Sequence, residues 1–179
     1  HYWLYTPAEP KLEKAPVIVF LHGYGALNPD SYDAWLHHLC RRGNIVIYPQ
    51  WQAHALDAPA NFNPNAAASI LDAFTYLEAD KTRTQPDKED FAIAGHSAGG
   101  VNAANMAADY ELLKLPKPKA LMPIQPGRAF NCDCKAQKNG LIPLSEFEQI
   151  PETCLLLCVF SDSDHTVGSW CAKTFFNDS

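Results

Sequence analysis

The sequence predicts an α/β fold with a mostly parallel sheet and flanking helices, on three observations. Val17-Ile18-Val19-Phe20-Leu21 and Asn44-Ile45-Val46-Ile47-Tyr48 are near-continuous apolar, β-branched runs, the pattern of strands buried on both faces. Such runs alternate along the chain with segments of helical period, as expected when helices cross over between parallel strands. The loops that hold chemically distinctive residues, at Gly23-Tyr24, Trp51, Ser97 and Asp164, each follow a strand. The carboxyl ends of parallel strands are where such sheets bind ligands.

Taken in order, residues 2–6 alternate weakly and are expected as an edge strand closed by Pro7. Residues 8–16 read as a polar turn leading into the strand 17–21. A helix is expected over 31–42, capped by Asp30 or Ser31 and stopped by Gly43. The strand 44–48 ends at Pro49, and 50–63 is an irregular loop holding Trp51, His54 and Phe62. Residues 64–79 form a helix with Ile70, Leu71, Phe74 and Leu77 on its apolar face. A polar loop over 80–89 precedes the strand 90–94 and an Ala-rich helix over 101–113. Strands are expected at 119–124 and 155–160, joined by a long connection with a short helix near 145–149. A last helix covers 166–176. No repeat, low-complexity tract or linker interrupts the chain, so residues 1–179 read as a single domain.

Composition narrows the function classes. A chain of 179 residues, 47% hydrophobic and 19% charged, can bury a sizeable globular core. The net charge of −6 and the absence of a basic run speak against nucleic acid or an anionic membrane surface as partner. No apolar stretch reaches the ~18 residues of a membrane span. The chain opens on His1 without a signal peptide, and is expected to be a mature form or a fragment. Six cysteines fit the disulfides of a secreted protein, the favoured location, but Cys154 and Cys158 read equally well as small core residues. Cys132-x-Cys134 is too tightly spaced for a zinc knuckle and lacks a nearby His, so no metal is expected.

The organising motif is Gly95-His96-Ser97-Ala98-Gly99, with Gly100 behind it, set between a strand and a helix. That context marks a nucleophile elbow, in which a strained serine presents its hydroxyl at a helix N-terminus. A Cβ at position 95 or 99 is expected to collide with the neighbouring strand or helix. A serine nucleophile needs a base for its proton and donors for the oxyanion. His22-Gly23-Tyr24-Gly25, after the first buried strand, is placed to offer the Tyr24 N–H, and Ala98 offers a second.

These motifs resemble the α/β-hydrolase superfamily, and more closely its lid-less cutinase-like and polyester-hydrolase-like serine esterases. The resemblance extends over nearly the whole chain. It rests on His22-Gly23-Tyr24-Gly25, Gly43-Asn44-Ile45-Val46-Ile47-Tyr48-Pro49, the elbow, and Asp164-His165-Thr166-Val167. It implies a carboxylic ester hydrolase with no cofactor, acting through an acyl-enzyme on Ser97. Asp164 matches the family's triad acid, with Asp162 as the alternative; Gln125 occupies another acid position found in some relatives and cannot serve. Tyr24, Trp51 and Phe130 are read either as an aromatic wall for the substrate or as residues packed beneath loops. The connection 125–153 is too short for a large cap, so an open cleft for small or polymeric esters is expected.

The triad histidine is missing from its place. It should follow one further strand beyond the acid, yet no His follows His165. The sheet is therefore expected to be truncated at one or both ends, with the base outside this chain and a completing segment or homo-oligomer at the open edge. The competing expectation is a non-catalytic α/β-hydrolase-like domain that binds a ligand or partner after losing its base.

Overall fold

A computed structural model describes residues 1–54 and 56–179. Its strands are β1 (Tyr2–Tyr5), β2 (Lys14–Leu21), β3 (Ile45–Pro49), β4 (Gln85–His96), β5 (Ala120–Ile124) and β6 (Leu155–Leu156). They form one sheet in the order β1-β3-β2-β4-β5-β6, parallel throughout except for β1, which runs antiparallel to β3. The helices are α1 (Asp33–Arg41), α2 (Phe62–Glu78), α3 (Ala98–Ala108), α4 (Cys134–Lys138) and α5 (Trp170–Asp178).

Period-two alternation explains why the central strands read as continuous apolar runs. Val17, Val19, Ile45, Ile47, Phe91 and Ile93 point into one core, where α2, α3 and α5 pack. Phe20, Val46, Tyr48 and Ala94 point into a second, on the side of Leu36 and Cys40 of α1. Both faces are buried, so neither set of positions tolerates polar residues.

The sequence reading departs from the structure at several element ends. Lys14-Ala15-Pro16 and Gln85-Pro86-Asp87, both expected outside strands, pair with each other before an irregularity in the ladder. Only Ala15 and Pro86 of these residues are buried, so no continuous apolar run marks the pairing, and Lys14 and Asp87 form an ion pair at 2.9 Å. The first helix is preceded by a 3₁₀ turn over Pro29–Tyr32, which Asn28 caps through its side chain; neither Asp30 nor Ser31 caps α1, whose N-cap Tyr32 makes no side-chain cap bond. The helix expected over 101–113 ends at Ala108, and the helix expected near 145–149 is a 3₁₀ turn, Phe147–Gln149. Only Leu155–Leu156 form a ladder in the expected strand 155–160, extended by a bridge from Ile124 to Val159. All six cysteines are free thiols, and Cys154 and Cys158 pack against the larger core. No helix among the described residues is long and apolar enough to cross a membrane.

Candidate active site

The elbow lies at the carboxyl end of β4, at the centre of the sheet. Ser97 joins β4 to α3 with φ 56° and ψ −123°. A non-glycine residue in such a conformation costs roughly 1–3 kcal/mol and persists only where its surroundings enforce it. Here the Ser97 N–H donates to Ile124 O at 2.9 Å, while Gly100 and Gly127 N–H donate to Ser97 O at 2.9 and 3.2 Å. A Cβ on Gly95 would lie 2.1 Å from Gly99 O, and one on Gly99 would lie 2.2 Å from Leu21 O. Only glycine at both positions lets β4, α3 and β2 close around the serine. The Ala98 amide opens α3 directly behind Ser97, where the helix dipole favours negative charge.

The loop after β2 is held from several sides. His22 is fully buried and stacks on Trp51 at 4.5 Å between ring centroids. Burial pushes its pKa down to about 4, so the ring is neutral. Its Nδ1 donates to Gly23 O at 2.7 Å. Gly23 N–H donates to Tyr32 Oη and Gly25 N–H to Gln52 Oε1, each at 2.9 Å, and Ala26 N–H closes the turn on Gly23 O at 3.1 Å. Tyr24 sits between these two held amides. Tyr24, Ser97 and Ala98 together line a cavity of about 450 Å³.

Asp164 sits in the turn after β6 and is not among the residues lining the cavity, whereas Asp57 is. Its Oδ1 accepts from Thr166 N at 2.6 Å and Val167 N at 3.2 Å, and its Oδ2 accepts from the side-chain amide of Gln125. Burial pushes its carboxyl up, but these donors outweigh burial and hold it below the ordinary carboxylate range. Asp162, the alternative acid, is exposed and lies 3.9 Å from Lys173 Nζ. The last helix, expected over 166–176, runs over Trp170–Asp178.

The far wall of the cavity comes from the connection after β5. Arg128 organises it by donating to the carbonyls of Gln137, Lys138, Gly140 and Ile142 at 2.5–3.0 Å. Buried Gln137 completes the knot, accepting from Arg128 N and donating to Ala129 O and Asn131 O. Phe130 meets Tyr24 edge-on at 5.6 Å over the cavity. Trp51 does not line this cavity: it is 0% exposed and packs between His22 and Phe62 beneath the loops. The sequence reading missed Tyr32, Gln52, Arg128 and Gln137. It excluded Gln125 as an acid, and the structure gives that side chain a different use, as a donor to Asp164.

No histidine lines the cavity or hydrogen-bonds Ser97 Oγ among the described residues. His22 is turned to Gly23, His96 Nδ1 meets Tyr32 Oη, and His37 pairs with Asp33. No group of three or more His, Cys, Asp or Glu is placed to hold a metal among the described residues.

A family model described as chlorophyllase matches residues 4–141. The chain belongs to the chlorophyllase family. No curated protein matches it. Solved structures similar to this chlorophyllase-family chain include Est1E from Butyrivibrio proteoclasticus with bound ferulic acid, at 18% identity and TM-score 0.66 over 99% of this chain and 81% of that one. Thermogutta terrifontis esterase 2 phosphoramylated by tabun matches at 16% identity and TM-score 0.67, over 99% of this chain and 72% of that one. Carboxyl esterase 2 from Tuber melanosporum matches at 22% identity and TM-score 0.58, over 83% and 48%. The chain spans less than two thirds of several solved relatives, including 46% of one Est1E chain. At these identities the likeness shows the fold, a mostly parallel α/β-hydrolase sheet with flanking helices.

Proposed function

We propose that the chain is a serine carboxylic ester hydrolase acting through an acyl-enzyme on Ser97. The observation that carries this reading is the strained Ser97 at the head of α3, opening into a cavity it shares with Tyr24 and Ala98. In this reading Ser97 Oγ attacks the ester carbonyl carbon and its proton passes to a base. The Tyr24 and Ala98 N–H groups stabilise the oxyanion, and the alcohol leaves with the proton taken by the base. Water then repeats the sequence on the acyl-enzyme. Asp164 orients the base, which is a histidine outside this sequence. No cofactor enters the reaction.

The open edge of the sheet supports a completing segment or a second copy beside β6. Leu155, Leu157 and Val159 donate their amides to β5, which turns the amides of Leu156, Cys158 and Phe160 outward. Leu155 and Leu157 remain 75% and 59% exposed. A strand docked there would cover this edge and bring the base toward Asp164. The relatives' names, esterase and chlorophyllase, support ester substrates, with chlorophyll a first compound to assay. The short wall over 125–142 favours a lid-less cleft of the cutinase-like kind, open to bulky or polymeric esters.

The second reading, a binding domain without catalysis, is favoured by one observation: no histidine lines the cavity among the described residues. Hydrolysis of a short-chain nitrophenyl ester by the chain and by Ser97→Ala separates the two. The esterase reading expects the chain, assayed with imidazole added to stand in for the base outside the sequence, to hydrolyse the ester faster than the variant does, since the oxyanion donors alone act equally in both. Equal rates would leave only the binding reading.

A further inference from the structure

Four groups from three segments converge beneath the oxyanion loop. A Cβ placed on Gly23 would lie 3.0 Å from Tyr32 Oη, 3.3 Å from His96 Nδ1 and 3.6 Å from Ser97 Cβ. Tyr32 Oη accepts the Gly23 N–H at 2.9 Å and lies 2.9 Å from His96 Nδ1. A tyrosine hydroxyl has a single proton to give. With the Gly23 N–H already directed at its oxygen, His96 Nδ1 is the acceptor within reach of that proton. His96 then carries its own hydrogen on Nε2. Burial keeps the His96 ring toward its neutral form, against the pull of the Asp164 carboxylate.

From this geometry we infer that Tyr32 is a positioning residue. It fixes the oxyanion loop to the nucleophile elbow through the chain Gly23 N–H, Tyr32 O–H, His96 Nδ1. The inference rests on the serine hydrolase reading and adds to it a part that the elbow motif does not contain. The Tyr24 amide follows Gly23 directly, so the placement of Gly23 sets the aim of that donor toward the oxyanion. Gln52 holds the other side, at Gly25. The loop and the elbow have no covalent connection nearer than the strands they end. A hydrogen-bonded tie at this point keeps the two donors in register with Ser97 Oγ. Such register is demanding, because an error of about 1 Å in the placement of reacting groups can cost on the order of 100-fold in rate.

Tyr32→Phe tests this directly, because the ring that packs on Phe20 and Tyr48 is kept and only the hydroxyl is lost. The measurements are kcat and KM for nitrophenyl acetate with imidazole supplied as the base, the tautomer of His96 by ¹⁵N NMR, and hydrogen exchange at the Gly23 amide. We expect kcat to fall about 10-fold with KM within about 2-fold. His96 should change from a single Nε2–H tautomer to a mixture, and Gly23 should exchange faster. His96→Asn, which offers an oxygen near the place of Nδ1, should retain kcat within about 3-fold, whereas His96→Leu should match Tyr32→Phe. The double variant Tyr32→Phe/His96→Leu should be no slower than either single one, as for groups acting as a unit. An unchanged kcat in Tyr32→Phe, with the parent faster than Ser97→Ala, would overturn the positioning role alone. A kcat loss with unchanged His96 tautomer and Gly23 exchange would overturn the route through His96. A parent no faster than Ser97→Ala would overturn the hydrolase reading, and this inference with it.

Discussion

Asp164 and Asp162 stand two positions apart, and sequence alone separates them only through a motif. Their surroundings in the structure differ. Asp164 accepts two backbone N–H groups and the Gln125 amide, which hold its carboxyl ionised, whereas Asp162 faces solvent. Once the base is in place, Asp164→Asn should therefore lower ester hydrolysis by about 100-fold or more, the scale of losing an orienting carboxylate, while Asp162→Asn leaves it within about 2-fold; with no base present neither variant should change the rate. Comparable losses in the two variants, measured as kcat/KM, would remove Asp164 from its role. At this scale the sequence offers Ser97, Tyr24, Ala98 and Asp164 through their motifs; the structure brings the first three to one cavity and holds Asp164 beside Gln125 outside its lining. Tyr32 and Gln52 were not legible in the sequence. Each contributes one side-chain oxygen to the amide of a glycine elsewhere in the chain, and no local pattern announces such a pairing. Trp51 was visible as a large aromatic on a chemical loop, but nothing local said that His22 and Phe62 would enclose it.

Among the elements, the central strands were legible because both faces are buried and nearly every position in the runs is apolar. The paired segments Lys14-Ala15-Pro16 and Gln85-Pro86-Asp87 were not, because only Ala15 and Pro86 of them are buried and no continuous apolar run marks them. The connection after β5 was illegible for another reason. Its shape comes from Arg128 and Gln137 binding carbonyls across some ten residues, and not from any periodicity. Arg128→Leu strips donors from four carbonyls, of which several are only partly exposed. The expected cost is about 2–3 kcal/mol in local stability, seen as faster hydrogen exchange over residues 137–142. Ester KM should rise, since this segment forms the wall of the Ser97 cavity. Exchange no faster than in the parent would show that the wall is held by packing instead.

Over the whole molecule, the fold was read correctly from the alternation of buried strands and helices, and the family match and the solved relatives agree with it. Burial also couples the fold to pH. His22 ionises only near pH 4 when folded, against about 6.5 when exposed in the unfolded chain. Between these values the unfolded state binds more protons, so stability should fall as pH drops from about 6.5 to about 4, by on the order of 3 kcal/mol from this group. Below pH 4 its contribution levels off. His96, also shifted down by burial, adds in the same direction. Urea midpoints for the parent and His22→Leu across this range check the sign: the variant should show a flatter dependence. Parallel curves would mean that His22 is not the group responsible.

The central claim is that this fold presents Ser97 as a strained nucleophile beside two oxyanion donors, which reacts once a base is supplied. A fluorophosphonate probe, used with imidazole added as the base, tests it most directly, because it reports phosphonylation of the serine without needing the natural ester. Intact mass and peptide mapping should show one adduct, on the peptide containing Ser97, forming faster than any background in Ser97→Ala. An unlabelled parent chain, or equal labelling of parent and variant, would contradict the account.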